Sequence, residues 1–373
     1  MSNSRNFGIF LFSIFYISIN LMGATILHPG FSQDIPNTFS VSSIVLGKDK
    51  PLSMALDQKT GKIYAIFGAN NGEKNFRNQI YVIDSIQNKL IDTIKIGSQE
   101  NDFLSNIALD PVKGIIYVTG QHLVNENDTT FAFDSLYAIN STDKKFKRIQ
   151  LYGETEEGKE GSLAGISVNP VTNKIYIGSL YPEGGNPGMY VIDGNTLQPM
   201  HIDKWRYGIK DIQLDPESRL LYAGARYDNM ISVINESNNK IIDNITAQNP
   251  IAITLNKEKK ILYEAGTDGK VNAIDLSSKK NISSIQGEYI KNILYNPNDN
   301  LLYIIDQNMT NILSKDSAGT KSTAIAVNVT GNISNKFETD LILDDIVLNP
   351  STNQAYLLGH NGNSSKLFIV KPH

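Results

Sequence analysis

The sequence predicts an all-β, seven-bladed β-propeller whose N-terminal strand completes the last blade. Three observations carry that expectation. A short motif recurs seven times with an unbroken internal spacing. Strand and hairpin signals follow most copies in the same order. The last copy ends after a third strand, and a spare strand stands before the first copy.

The motif reads SMALDQKTGKIYAIFG, NIALDPVKGIIYVTG, GISVNPVTNKIYIGS, DIQLDPESRLLYAGA, AITLNKEKKILYEAG, NILYNPNDNLLYIID and DIVLNPSTNQAYLLG. Each copy has an Asp or Asn: Asp57, Asp110, Asn169, Asp215, Asn256, Asn296 and Asn349. Seven residues later each has a tyrosine: Tyr64, Tyr117, Tyr176, Tyr222, Tyr263, Tyr303 and Tyr356. Apolar residues alternate before the Asx, as Ile107 and Leu109 do, which marks a first strand. Asp-Pro or Asn-Pro then turns the chain, because proline fixes φ and the Asx side chain bonds its own backbone. The tyrosine segment is the second strand. The copies stand 53, 59, 46, 41, 40 and 53 residues apart. A four-stranded blade needs roughly 40 to 45, so the longer steps carry insertions.

A third strand reads IYVID (80–84), LYAIN (136–140), MYVID (189–193), ISVIN (231–235) and VNAID (271–275). In blades 6 and 7 the third strand is expected at TNILS (310–314) and LFIVK (367–371). A more amphipathic fourth strand follows, as in KLIDTIKIG (89–97) and KIIDNITAQ (240–248). Closure follows from Phe39 to Gly47, which supply the strand that blade 7 lacks. Pairing the two termini removes the last open sheet edge.

These residues resemble the YVTN β-propeller repeat family. The shared features are the Asn-Pro turn, the KIYV-type second strand and the VID-type third strand. IYVTG (116–120) comes nearest to the naming motif, with Gly120 where the family has asparagine. The resemblance covers about residues 39–373. It implies a seven-bladed propeller of the surface-layer type, carried by secreted or surface proteins of archaea and bacteria, with no single activity attached.

Residues 1–32 read as a signal peptide or an N-terminal membrane anchor, 33–38 as a linker and 39–373 as the propeller. Arg5 precedes an apolar run from Gly8 to Leu27, and Gly30 and Ser32 suit cleavage after Ser32. Twenty helical residues also reach across a hydrocarbon core of about 30 Å. Either way the body of the chain is expected outside the cytoplasm, secreted or at the cell surface. Any membrane contact would run only through a retained N-terminal segment. The chain has no cysteine, which excludes disulfides, thiolate metal sites and cysteine nucleophiles. Its net charge of −4 over 373 residues argues against a nucleic-acid partner. Nine Asn-x-Ser/Thr acceptors, at Asn127, Asn140, Asn235, Asn244, Asn281, Asn308, Asn328, Asn332 and Asn363, suit a surface glycoprotein. Asn328 and Asn332 are expected to be the most exposed, beyond the fourth strand of blade 6.

Insertions occur at Phe67–Gln79, Gly120–Asp134, Gly153–Gly161 and Ser179–Gly188. By strand direction all four lie on one face, over blades 1 to 3, where a protein or glycan partner is expected to bind. Glu154, Glu156, Glu157 and Glu160 lack the alternating order of a calcium loop and read as a solvated turn. Trp205, Arg206 and Tyr207 offer either a stacking surface for a sugar or aromatic ligand, or a packed loop anchor.

A second candidate site is the axial channel. Four residues before each Asx stand Ser53, Asn106, Gly165, Asp211, Ala252, Asn292 and Asp345, all small or polar, with Lys210, Lys291 and Asp344 one residue earlier. Asn106, Asp211, Asn292 and Asp345 are the candidates for a cation such as Ca²⁺ or for a polar ligand; a plain water-filled channel is the competing reading. Beyond that possible calcium, no cofactor is implied. The histidines, His28, His122, His201, His360 and His373, form no zinc motif, and GxSxG, P-loop and GxGxxG signatures are missing. The expected function is therefore a noncatalytic binding or scaffold module for a protein, glycan or envelope component. The alternative is a calcium-dependent hydrolase, lactonase or lyase working in the channel.

Overall fold

Most motifs begin with an Asx turn at the end of a first strand. The Asp57 carboxylate accepts the Lys59 amide (3.0 Å), Asp110 accepts Val112 (2.9 Å), Asn169 accepts Val171 (2.9 Å) and Asn349 accepts Ser351 (3.1 Å). These bonds occupy donors that the turn would otherwise leave unpaired. The chain then reverses into the tyrosine strand. The computed structural model describes residues 39–68, 78–97, 101–126, 129–151, 155–156, 162–180, 187–307, 322–328 and 333–372. They form seven antiparallel sheets around one axis: five are built from four successive strands, one gains a short fifth strand, and the last takes its outermost strand from the N-terminal segment.

The first strands are Lys50–Asp57, Asp102–Asp110, Ser162–Asn169, Asp211–Asp215, Pro250–Asn256, Tyr289–Asn296 and Ile342–Asn349. Each neighbours the first strand of the next blade, and the last neighbours the first, so the ring is closed. We call the side on which these strands begin the upper face. In blade 7 the order is Ile342–Asn349, Gln354–His360, Ser365–Pro372 and, outermost, Phe39–Gly47. Phe39 stands opposite Pro372, Val41 opposite Val370 and Ile44 opposite Leu367. The Ser365 hydroxyl also donates to the Asp49 carbonyl, which ties blade 7 to the approach to blade 1. The closing strand is thus where the sequence places it.

The core is divided into seven layers, one between each pair of adjacent blades. Every layer holds one motif tyrosine. Tyr64 packs with Leu104 and Ile107 of blade 2, Tyr176 with Ile212 and Leu221 of blade 4, and Tyr356 with Met54 and Ile63 of blade 1. All seven tyrosines are at most 5% exposed. Two of their phenols meet carboxylates: Tyr176 donates to Glu236 of blade 4 (3.0 Å) and Tyr303 to Asp299 (2.7 Å). Burial and these carboxylates push both phenols well above their ordinary range.

Two expectations are corrected. The third strand of blade 6 is Ser322–Val327, whose Ala324, Ile325, Ala326 and Val327 are buried; Thr310–Ser314 lie outside the described residues. The fourth strand is Ile333–Thr339, so Asn328 falls between the third and fourth strands and is half-buried. Residues 308–321, between the second and third strands of blade 6, lie outside the described residues. In blade 2 the insertion is largely strand: Ile115–Glu126 and Thr129–Asn140 extend one hairpin, which Thr155–Glu156 joins. Gly120 lies in that hairpin, where a Cβ would come 1.8 Å from the Phe103 carbonyl oxygen. This close approach accounts for glycine in place of asparagine in the IYVTG segment.

One buried residue breaks the pattern. Glu264 follows Tyr263, where the other blades have Ala65, Val118, Ile177, Ala223, Ile304 and Leu357. It is fully buried. Oε2 accepts the Asn272 amide (2.8 Å), and Oε1 has no hydrogen-bond partner. Burial, with Asp268 nearby, pushes its pKa up from 4.5 to about 7.

Two outcomes follow from this architecture. Deleting residues through Gly47 exposes the strand Ser365–Pro372 and is expected to abolish the cooperative melt, whereas shortening the hairpin tip between Glu126 and Thr129 leaves the midpoint nearly unchanged. Normal melting of the truncated chain would contradict closure by the N-terminal strand. Glu264 remains protonated in the fold at pH values where the unfolded chain has already ionised it. The stability that protonated Glu264 contributes is therefore fully present below about pH 4.5 and is lost as the pH rises through about 7. Glu264→Gln is expected to raise the melting temperature at pH 8 and to flatten its pH dependence; a profile of unchanged slope would reject the assignment.

Candidate functional site: the upper end of the axial channel

The first strands do more than line an axis. Five of them pair irregularly with their second strands through a one-residue register shift, between Pro51 and Ser53, Leu104 and Asn106, Pro250 and Ala252, Ile290 and Asn292, and Leu343 and Asp345. Blade 3 has a wider shift, between Leu163 and Ile166. A bulge sets two successive residues against one on the partner strand and re-aims side chains. The residue within the shift and the one after it can then both face the channel, which strict alternation forbids.

A cavity of about 430 Å³ lies there. All seven residues expected to line the channel do so: Ser53, Asn106, Gly165, Asp211, Ala252, Asn292 and Asp345. The bulge residues Leu52, Ile251, Lys291 and Asp344 join them, as does Lys210. Gly165 is small by necessity, since a Cβ would come 3.0 Å from both Cα and Oδ1 of Asp211. Four lining residues went unforeseen in the sequence: the bulge residues Leu52 and Ile251, and Arg226 and Tyr289. Arg226 extends from the end of the second strand of blade 4, outside the first-strand register. Tyr289 stands two residues before Lys291, a spacing that could have revealed it.

The four polar candidates are engaged with neighbouring blades. Asn292 donates its amide to Asp345 Oδ1 (2.9 Å). Asp345 also accepts the Ile346 amide on Oδ1 (2.8 Å), and Met54 N (2.8 Å) and Ser53 Oγ (3.2 Å) on Oδ2. Asp211 accepts its own strand's Ile212 N and, on the other oxygen, Ile253 N of blade 5 (both 2.8 Å). Asn106 Nδ2 donates to the Leu163 carbonyl of blade 3 (3.2 Å). Asn292 and Asp345 are thus brought into direct contact, while Asn106 and Asp211 are each held by a different blade. To ligate a calcium ion, Asp345 and Asp211 would have to give up bonds that join blades. No group of three or more His, Asp or Glu side chains suited to a metal occurs among the described residues. Burial pushes Asp211 up from its ordinary pKa, and Asp345 up to about 6, where Asp344 adds to the effect.

At the rim, His360 Nδ1 and Asp344 Oδ2 lie 2.7 Å apart. Blade 2 repeats the device: His122 Nδ1 and Asp102 Oδ1 are 2.8 Å apart, and Asp102 also accepts the Tyr137 phenol (2.5 Å). Both pairs pin the upper end of a first strand to its second strand.

Trp205 is a packing residue. It is 4% exposed, sits in the layer between blades 3 and 4, and donates Nε1–H to Ser232 Oγ (2.9 Å). No face of its ring is left for a ligand, so of its two readings the packed anchor holds and the stacking surface does not. Arg206 and Tyr207 do reach the surface. The Arg206 guanidinium lies 5.0 Å over the Tyr207 ring, Tyr207 meets Tyr227 edge-on at 5.9 Å, and Arg226 lies 4.9 Å over Tyr227. Tyr227 is 47% exposed, so a row of two arginines and two tyrosines leads from the blade 3–4 crossing towards the cavity.

Of the glycosylation candidates, Asn244, Asn281 and Asn363 are exposed, and Asn140, Asn235 and Asn328 are half-buried. Asn127, Asn308 and Asn332 lie outside the described residues, as do Glu154, Glu157, Glu160 and residues 1–38. No known protein-family model matches this chain, and no curated protein matches it in sequence.

The engagement of the channel acids has a measurable consequence. Asp345→Ala strands four donors and is expected to cost about 3 kcal/mol; Asp211→Ala strands two backbone amides and is expected to cost about 2 kcal/mol. Asn106→Ala, which removes one amide donor, is expected to cost about 1 kcal/mol. Urea denaturation reads all three. Unchanged midpoints in the two Asp variants, together with a calcium-induced stabilisation that they abolish, would favour the metal-dependent enzyme instead.

Proposed function

We propose that this chain is an extracytoplasmic, noncatalytic binding propeller of the YVTN-repeat kind, which holds a partner protein on its upper face. The row of Arg206, Tyr207, Tyr227 and Arg226 carries the reading. Tyrosine and arginine are the side chains that most often concentrate binding energy at an interface, because they combine large contact area with directed polar groups. Here they stack in one row on a rigid ring, so little conformational entropy is lost when a partner docks. The strand-extended hairpin of blade 2 rises from the same face and enlarges the surface on offer.

The repeat itself supports the family assignment, through the seven Asx-to-Tyr spacings and the turns they make. The apolar run Gly8–Leu27, the lack of cysteine and the exposed acceptors Asn244, Asn281 and Asn363 support a place outside the cytoplasm. A binding role is favoured over catalysis because Asp211 and Asp345 spend their oxygens on inter-blade bonds. Neither of these two acids is therefore free to act as a general base.

The test is sedimentation of the purified protein with a cell-envelope preparation. Wild-type protein is expected to co-sediment, and Tyr207→Ala/Tyr227→Ala to weaken retention at least tenfold with little change in melting temperature. Protease treatment of the envelopes is expected to abolish retention. Retention that survives protease but not periodate would instead identify a glycan partner. Equal retention of the wild type and the double variant would reject this surface.

A further inference from the structure

The axial cavity is lined by charges of both signs, and the two signs are used differently. Asp345 accepts four hydrogen bonds, Asp211 accepts two backbone amides, and Asp344 faces His360. The cations Lys210, Lys291 and Arg226 line the same cavity. Among the described residues, the charged head of none of the three forms an ion pair or a hydrogen bond. The Arg226 guanidinium lies over the ring of its neighbour Tyr227, and its Nε is buried without a hydrogen-bond partner.

The three lie within electrostatic reach of one another. Burial pushes the Lys210 pKa down, Lys291 and Arg226 push it further in the same direction, and Asp211 opposes them. Mutually repelling cations in a partly desolvated site destabilise the fold that holds them unless a counter-charge is present. Three separate elements deliver them to one place. Lys210 precedes the first strand of blade 4, Arg226 follows its second strand, and Lys291 sits in the register shift of blade 6. The remaining wall includes Leu52, Ile251 and Tyr289, which suit the carbon frame of a small molecule. The volume, about 430 Å³, is that of a small-ligand pocket.

We propose that the upper end of the channel binds a small organic oxyanion, with Lys210, Lys291 and Arg226 as its counter-charges. Arginine offers a planar fork to a carboxylate or phosphate, and the two lysines add point charges that tolerate either geometry. This site is distinct from the surface row that engages a partner protein, although Arg226 borders both.

Citrate and inorganic phosphate are the probes, each titrated against sodium chloride at matched ionic strength, with binding read by calorimetry and by melting temperature. Wild-type protein is expected to bind at least one probe and to melt higher in its presence than in chloride. A citrate response assigns a carboxylate ligand and a phosphate response a phosphorylated one. Lys210→Gln/Lys291→Gln is expected to melt higher than wild type without probe, since the repulsion is relieved, and to bind the probe at least tenfold more weakly. Lys280→Gln, on the outer strand of blade 5, is the charge control and is expected to respond as wild type does. Should the double variant fail to fold, the single Lys291→Gln change, at an exposed position, serves in its place. No wild-type response beyond matched chloride, or full binding by the lysine variant, overturns the proposal. Envelope retention of the lysine variant is expected to match wild type. Loss of retention alone would therefore count against the partner-protein reading and leave this one standing.

Discussion

Each blade lays its motif tyrosine into the blade that follows, and the ring depends on that contact. A four-stranded sheet has two faces to cover. In this molecule both are covered by neighbouring sheets, so no blade completes its own core. The tyrosine suits the task because it fills the wedge between two twisted sheets and carries a hydroxyl to the lower rim. There the hydroxyl meets polar groups such as Glu236, which gathers Asn169, Thr172 and Tyr176 of blade 3 on one carboxylate oxygen. Seven such contacts must agree on one rotation per blade, or the ring does not close. The N-terminal strand then supplies the last edge. It holds the first described residues against the last through side chains such as Phe39, which packs with Tyr303 and Phe368.

The narrow end of each wedge obeys a different constraint. Near the axis, sheets approach too closely for large side chains, and the channel they surround is polar. The register shifts resolve this by turning two successive residues inward at one level. Small or polar residues occupy the second of these positions. Four of them, Asn106, Asp211, Asn292 and Asp345, donate or accept across to the next blade, so the belt around the axis is cross-linked by hydrogen bonds where apolar packing runs out. A carboxylate so placed is expensive to desolvate, and the raised pKa values of Asp211 and Asp345 reflect this cost. Backbone amides aimed at both oxygens recover much of it.

The legible parts of this fold are those that repeat. An Asp or Asn at the turn and a buried tyrosine recur in every blade, so seven copies amplify a weak signal. The channel positions were readable for the same reason, because they keep a fixed distance from the Asx. The missed features occur once. The third strand of blade 6 follows an insertion and is built from small residues, Ser322 to Val327, with none of the VID character of its counterparts. Trp205, beside Arg206 and Tyr207, could be read from the sequence either as a surface platform or as a packed anchor. Its burial depends on the Ser232 hydroxyl, which comes from another strand of the neighbouring blade. Arg226 and Tyr227 lie on a single turn after a second strand, and nothing in the repeat register points to them.

Departures from the repeat therefore mark where this ring differs from a bare scaffold. Glu264 replaces an apolar core residue and leaves one oxygen unpaired. Lys210, Lys291 and Arg226 occupy a cavity whose acids are already engaged. Arg206, Tyr207 and Tyr227 break the upper surface beside it. None of the three groups is required by the geometry of closure, since other blades close without an equivalent. A stable propeller of this kind would be better served by an alanine at 264 and by uncharged residues at 210 and 291. The unmatched charge near the axis and the aromatic row beside it lie at or between blades 3 to 6, and both are turned to the upper face. That placement separates the labour of the ring: the tyrosine layers and the hydrogen-bonded belt hold it together, and the irregular residues of one sector are left to meet something outside it.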